Sequence, residues 1–135
     1  MTAYKIPAPD APSEEWGRLA VSLPGWRWMP GMLGRLGAGR LRVTLCGAGQ
    51  LSGLRMGGQV VWSDDGVWPD PDDPATEGCL LRLLGRDRTS VMYLGDEDGL
   101  CSWYDGETWD GPRLPLGRAC IAAAEALGRW PGGDR

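Results

Sequence analysis

The sequence predicts a single α+β domain, with an antiparallel or mixed sheet and about three helices packed mainly on one face. Three observations carry this. Stretches of period-two alternation interleave with stretches of helical spacing in the order α-β-β-β-α-β-β-β-α. Asp-Gly dipeptides at 65–66 and 105–106 mark tight turns beside β-forming runs. The 135 residues, 42% hydrophobic and 24% charged, are globular in composition and leave little room for a second domain.

Residues 1–12 are Pro-rich and polar and read as a flexible arm, residues 13–130 as the domain, and 131–135 as a loose C-terminus. Ser13 is placed to cap a first helix, whose first turn carries Glu14 and Glu15. Trp16, Leu19, Ala20 and Leu23 form its apolar face, and Pro24-Gly25 stops it. In Trp26-Arg27-Trp28-Met29-Pro30-Gly31-Met32 the two tryptophans share one side of an extended strand and Arg27 takes the other. Residues 40–46 alternate: Leu41, Val43 and Leu45 point one way, Arg40, Arg42 and Thr44 the other. Residues 47–58 hold five Gly and are expected to pair weakly and move. Gln59–Ser63 reads as another strand.

Asp73 followed by Pro74 is a helix start, an N-cap and then Pro at the first helical position. Cys79, Leu80, Leu83 and Leu84 supply that helix's buried face, and Gly85 ends it. Ser90–Leu94 and Leu100–Tyr104 are β-like, joined by Gly95–Gly99. The second run is expected to turn at Asp105-Gly106, with Trp103 opposite Thr108 and Tyr104 beside Glu107. A last helix from about Pro115 to Leu127 presents Leu116, Cys120, Ala124 and Leu127, and Gly128 closes it.

Composition excludes several chemistries. Histidine is absent, which removes His general acid–base catalysis, Ser-His and Cys-His nucleophiles and His-containing metal sites. No P-loop, GxSxG or dinucleotide fingerprint is present, and the Gly-rich 47–53 stretch does not precede a helix. The net charge of −4 disfavours duplex DNA as a partner. Cys46, Cys79, Cys101 and Cys120 show no CxxC spacing; Cys79 and Cys120 read as small hydrophobes, and Cys101 as the most exposed thiol. No long apolar run indicates a membrane span and no leader is visible, so a cytoplasmic setting with reduced thiols is expected.

Leu23–Met32, Trp68–Leu84 and the Ala-rich Cys120–Leu127 together resemble small uncharacterised proteins of tailed bacteriophages and prophages. In those, a similar WRWMPGM segment precedes a similar WPDxxDPAT-GCLL segment. The resemblance covers about the outer two thirds of the chain and brings no catalytic residues with it. It implies a phage accessory protein acting in the cytoplasm of an infected bacterial host, with anti-defence activity as the associated function.

Thirteen of the fourteen cationic residues are Arg. Arg forks grip phosphates, and Trp faces stack on nucleobases. Arg27, Trp28, Arg40, Arg42 and Trp68, with Thr76 as a polar helper, are therefore the candidate binding set for a small anionic nucleotide-type signal. The expected function is non-enzymatic sequestration of that ligand, with no cofactor, no metal, and a homodimer through an apolar sheet face. The alternative is a protein–protein inhibitor of a host defence effector, acting through the acidic turns at 64–65, 70–73 and 96–98 and exposed Trp. A second alternative is a carboxylate-metal hydrolase.

Overall fold

A computed structural model describes residues 6–47, 49–55, 58–85, 92–93 and 99–134. Helix α1 spans Ser13–Ser22. Five strands follow: β1 (Leu33–Leu36), β2 (Gly39–Gly47), β3 (Gln50–Arg55), β4 (Gly58–Ser63) and β5 (Trp68–Pro69). They build one antiparallel sheet in the order β4-β3-β2-β1-β5. Helix α2 (Pro74–Leu84) leads to a smaller antiparallel sheet of β6 (Met92–Tyr93), β7 (Leu100–Trp103) and β8 (Leu114–Pro115). Helix α3 (Leu116–Leu127) and a 3-10 turn at Pro131–Asp134 complete the described chain. This is the α+β architecture read from the sequence.

The core is one cluster with α3 at its centre. Every residue from Gly117 to Ala124 is buried, on all faces of the helix, so no single stripe describes it. Small side chains there let α3 contact α1, α2 and β7 at once. Leu127, expected on the stripe, is exposed. On the larger sheet, Leu41, Val43 and Leu51 face this core while Arg40, Arg42 and Thr44 face away. The alternation fails at Leu45, which is 64% exposed. The β2–β3 register shifts between Val43 and Leu45, and this bulge turns Leu45 out.

The Gly-rich 47–58 segment departs most from expectation. Its described residues include strand β3, paired on both sides, and the start of β4. Gly53 explains this: a Cβ there would strike the Arg42 carbonyl oxygen and lie 2.7 Å from Leu41 Cδ1. The missing side chain serves close strand packing over the core rather than mobility.

The Asp105-Gly106 hairpin also differs. Asp105 N–H donates to the Thr108 carbonyl at 3.1 Å, and Asp105 Oδ1 accepts from Glu107 N and Thr108 N at 2.8 Å each. This Asx-type turn closes around Gly106-Glu107, and residues 108–113 directly after it form no strand. The neighbour of β7 is instead β8, with Cys101 opposite Leu114. Cys101, read as the exposed thiol, is 3% exposed. The expected loop at 95–98 lies outside the described residues.

Helix α2 begins as its sequence dictates. Asp73 is the N-cap, accepting from Thr76 N at 3.0 Å, Pro74 opens the first turn, and Gly85 at φ 68° caps the end. Helix α1 differs: Pro12 holds its cap position, and Ser13 Oγ donates to Asp72 Oδ2 at 2.7 Å instead of capping. The segment preceding α1 is held from Ile6 onward. Ile6 packs against the core, Ala11 is buried, and Trp16 Nε1 donates to the Ala8 carbonyl at 3.2 Å. At the other end Gly132 is buried against α2.

Glu77 joins α2 to the start of α3 by accepting from Gly117 N at 3.1 Å. Burial pushes its carboxyl above the ordinary value, the Gly117 N–H draws it partly back, and the charges of Asp72 and Asp73 add to the rise. A raised glutamate costs stability once ionised. That cost is absent below the ordinary value of 4.5 and is fully present above the folded one. Glu77→Gln keeps the acceptor and removes the charge. Its melting temperature should therefore rise at pH 7 and be unchanged below pH 4; equal shifts at both pH values would remove the electrostatic explanation.

Candidate functional site

The segment between α1 and β1 is bracketed by two Pro-Gly turns. Trp26 N–H donates to the Leu23 carbonyl and Met32 N–H to the Met29 carbonyl, both at 3.2 Å. Gly25 (φ 84°) and Gly31 (φ 102°) supply the left-handed backbone that type II turns need at their third residue. Between them Trp26–Met29 form an extended strap outside any sheet. The expected alternation holds: Trp26 and Trp28 turn inward and Arg27 outward. Strand pairing does not. The strap is pinned instead by Cys46 Sγ, which donates to the Trp28 carbonyl at 3.1 Å.

The strap, α1, the end of β2, the start of β3 and the turn at 64–67 line a cleft of about 620 Å³. Trp26, Trp28, Cys46, Leu51 and Val67 form its apolar part. Arg18, Arg27, Gln50, Asp64 and Asp65 contribute its charged and polar groups. Trp28 is largely core, so Trp26 offers the more open ring. That ring meets Trp28 edge-to-face at 5.4 Å between centroids and Trp130 at 6.0 Å, which fixes its orientation.

The two arginines differ. Arg18 donates to Glu14 at 2.8 Å on the exposed face of α1, a pair of small energetic weight. Arg27 is exposed and, among the described residues, makes no hydrogen bond or ion pair. The thiol of Cys46 is not activated by its surroundings. Burial pushes its thiol up, the opposing pull of Arg27 is smaller, and its proton is given to the Trp28 carbonyl.

The structure divides the sequence-predicted site. Only Arg27 and Trp28 line the cleft. Arg40 is exposed on the outer face of β2. Arg42 grips Asp73 through both carboxylate oxygens, at 2.6 and 2.9 Å, and donates to the Gly31 carbonyl. Thr76 is fully buried; its hydroxyl donates to Asp73 and accepts from Leu33 N at 2.9 Å, so it joins α2 to β1 and cannot reach a ligand. Trp68 is buried beneath Arg35, whose guanidinium carbon lies 5.9 Å from the ring centroid.

The acidic run at 70–73 is likewise committed within the fold. Asp70 pairs with Arg35, Asp72 with Arg118 and Asp73 with Arg42. Asp64 and Asp65 do line the cleft, and the acidic turn at 96–98 lies outside the described residues. The sequence reading assigned these two to an acidic turn facing a protein partner, and did not include Arg18, Cys46 or Gln50 in the binding set. The paired Pro-Gly turns were the available signal, since they fix the strap that forms the wall.

Among the described residues, no group of three or more Cys, Asp or Glu is placed to hold a metal, and no helix is long and apolar enough to cross a membrane. Compared with known proteins, the chain matches no family model, no curated protein and no solved structure.

Proposed function

We propose that the cleft binds and sequesters a small anionic nucleotide-type ligand without turning it over. The observation that carries this reading is Arg27, an uncommitted guanidinium at the mouth of a 620 Å³ cleft beside an aromatic wall. A guanidinium binds phosphate bidentately, and an indole stacks on a base. Asp64 and Asp65 balance the two arginines, so the cleft suits a ligand with both an anionic group and hydrogen-bond donors. A nucleotide has both: its phosphate faces Arg27, with Arg18 recruited from its weak surface pair, and its sugar hydroxyls or base amino group donate to the carboxylates. What supports sequestration over turnover is that the thiol in the cleft, Cys46, is occupied in a bond to the Trp28 carbonyl. In the phage setting that the sequence resembles, such a ligand is a nucleotide signal of host defence.

The test is thermal melting against mono-, di- and cyclic nucleotides. A ligand present at a hundredfold its Kd should add about 2.7 kcal/mol to the folded state. Arg27→Ala should leave the unliganded melting temperature unchanged, because the side chain is exposed and unpaired. It should weaken binding about 10- to 100-fold, as expected for loss of charge-assisted bonds. Absence of any shift across the panel would sink the proposal.

A second reading, binding to a basic surface of a defence effector, rests on Trp109. It is 43% exposed, meets the Tyr104 ring in a tilted contact at 5.6 Å between centroids and is close in sequence to Asp105, Glu107 and Asp110. A stoichiometric protein partner recovered from host lysate, lost on Trp109→Ala and kept on Arg27→Ala, would favour it.

A further inference from the structure

We infer that β4 is a self-pairing edge, through which two copies of the chain join their larger sheets into one antiparallel sheet. The two edges of that sheet are built differently. At one, β5 is two residues long, contains Pro69 and is covered by α1; a Cβ on Gly17 would strike the Pro69 carbonyl oxygen and lie 2.7 Å from Trp68. This edge is blunted in the ways that prevent strand addition. At the other, β4 is six residues long with no charge, no proline and no register shift against β3. Among the described residues, none of those protections is found along it.

The open backbone groups of β4 can be named. Asp64 N–H donates to the Gly49 carbonyl, so hydrogen-bonded rungs to β3 fall at Asp64, Trp62, Val60 and Gly58. The amides and carbonyls of Gln59, Val61 and Ser63 therefore point away from β3. The side chains of these three residues are also exposed.

A two-fold axis at Val61 pairs this strand with itself. Val61 then faces Val61 of the second copy, Gln59 faces Ser63, and Trp62 faces Val60, with about six main-chain bonds formed. Apolar residues meet apolar and polar meet polar. Asp64, the nearest charge, falls opposite Gly58, so no like charges face each other. On the outer surface Val61 (55% exposed) continues through Ser52 to Leu45 (64% exposed), its cross-strand neighbours. Pairing makes this row continuous across both copies and shields its central valines. The contact is small, so the dimer should be concentration-dependent.

The inference is independent of the cleft, and its test uses ligand-free protein. Sedimentation over a wide concentration range should show a rise from one to two chain masses. Val61→Lys sets two ammonium groups across the axis and should raise the dimer dissociation constant at least about tenfold. Val61→Pro removes only an outward N–H and should do the same while the monomer keeps its circular dichroism. Leu45→Lys, two strands away, should dimerise like the parent. In the parent, amide exchange at Gln59, Val61 and Ser63 should slow as concentration rises. A mass of one chain at every concentration, a dimer that survives both Val61 changes, or unprotected amides at those three positions in a dimer would each overturn the assignment.

Discussion

Gly117→Ala is expected to lower stability by about 2–3 kcal/mol, although alanine is the better helix former. Replacing glycine in a helix ordinarily gains about 0.5–1 kcal/mol. At Gly117 a Cβ would strike the Pro71 carbonyl oxygen, with Pro71 C at 2.8 Å and Glu77 Cγ at 3.2 Å. Two of those three atoms are backbone, in the short connection between β5 and α2. That connection is fixed at both ends. Asp70 is tied to Arg35 and by its N–H to the Leu33 carbonyl, while Asp73 is tied to Arg42 and Thr76. It cannot yield without breaking one of those bonds, so overpacking outweighs the gain in propensity. Gly78 is the internal control. It sits in α2, is exposed, and a Cβ there meets nothing within 4 Å. Gly78→Ala should therefore raise stability by about 0.5–1 kcal/mol. Denaturant titrations of the two variants should move in opposite directions. A stabilised Gly117→Ala would mean that α3 and the 70–73 connection do not approach this closely.

Two other glycines, Gly85 and Gly53, show what the sequence could and could not disclose. Helix α2 was legible from end to end, because Asp73, Pro74 and Gly85 act locally and the Leu80-Leu83-Leu84 spacing acts within one helix. The strand at β2 was legible for the same reason, up to the bulge at Thr44. Gly53 was misread because a glycine that permits flexibility and one that permits close packing are identical in sequence; only Leu41 and the Arg42 carbonyl separate them. The candidate binding set divided in a similar way. Arg27, Arg40 and Arg42 present the same side chain. Arg42 is committed to Asp73, 31 residues away, and that pairing is a product of the fold. The strap around Arg27 is set by two nearby turns, so its alternation could be read in advance.

Arg118→Met is expected to cost about 3 kcal/mol and to release the segment before α1. Arg118 lies buried on the central helix and holds three separate pieces of chain. Its Nε and Nη2 donate to both oxygens of Asp72 at 3.1 and 3.0 Å. Its Nη1 donates to the Pro9 and Ala11 carbonyls at 2.9 and 2.7 Å, and its guanidinium carbon lies 5.9 Å from the Trp16 ring centroid. Methionine fills much of the volume but satisfies none of these groups. Breaking a fully buried charge pair costs about 3–5 kcal/mol. Asp72 is 41% exposed and regains some hydration, which places the loss at the lower end. The pH dependence separates the charge from the packing. Arg118, more than any other group, holds the Asp72 carboxyl below its ordinary value of 3.8, against the opposing effect of burial. The stability from this pair is thus complete above the ordinary value and is lost as pH falls through the folded one. The difference between parent and Arg118→Met should be widest near pH 7 and narrow progressively below about pH 4. Amide exchange should also quicken at Ala11 and Glu15, whose N–H groups donate to Ala8 and Pro12 within the segment Arg118 anchors. A difference in stability that is constant down to pH 2 would assign the loss to packing around Trp16 and leave the ion pair without weight.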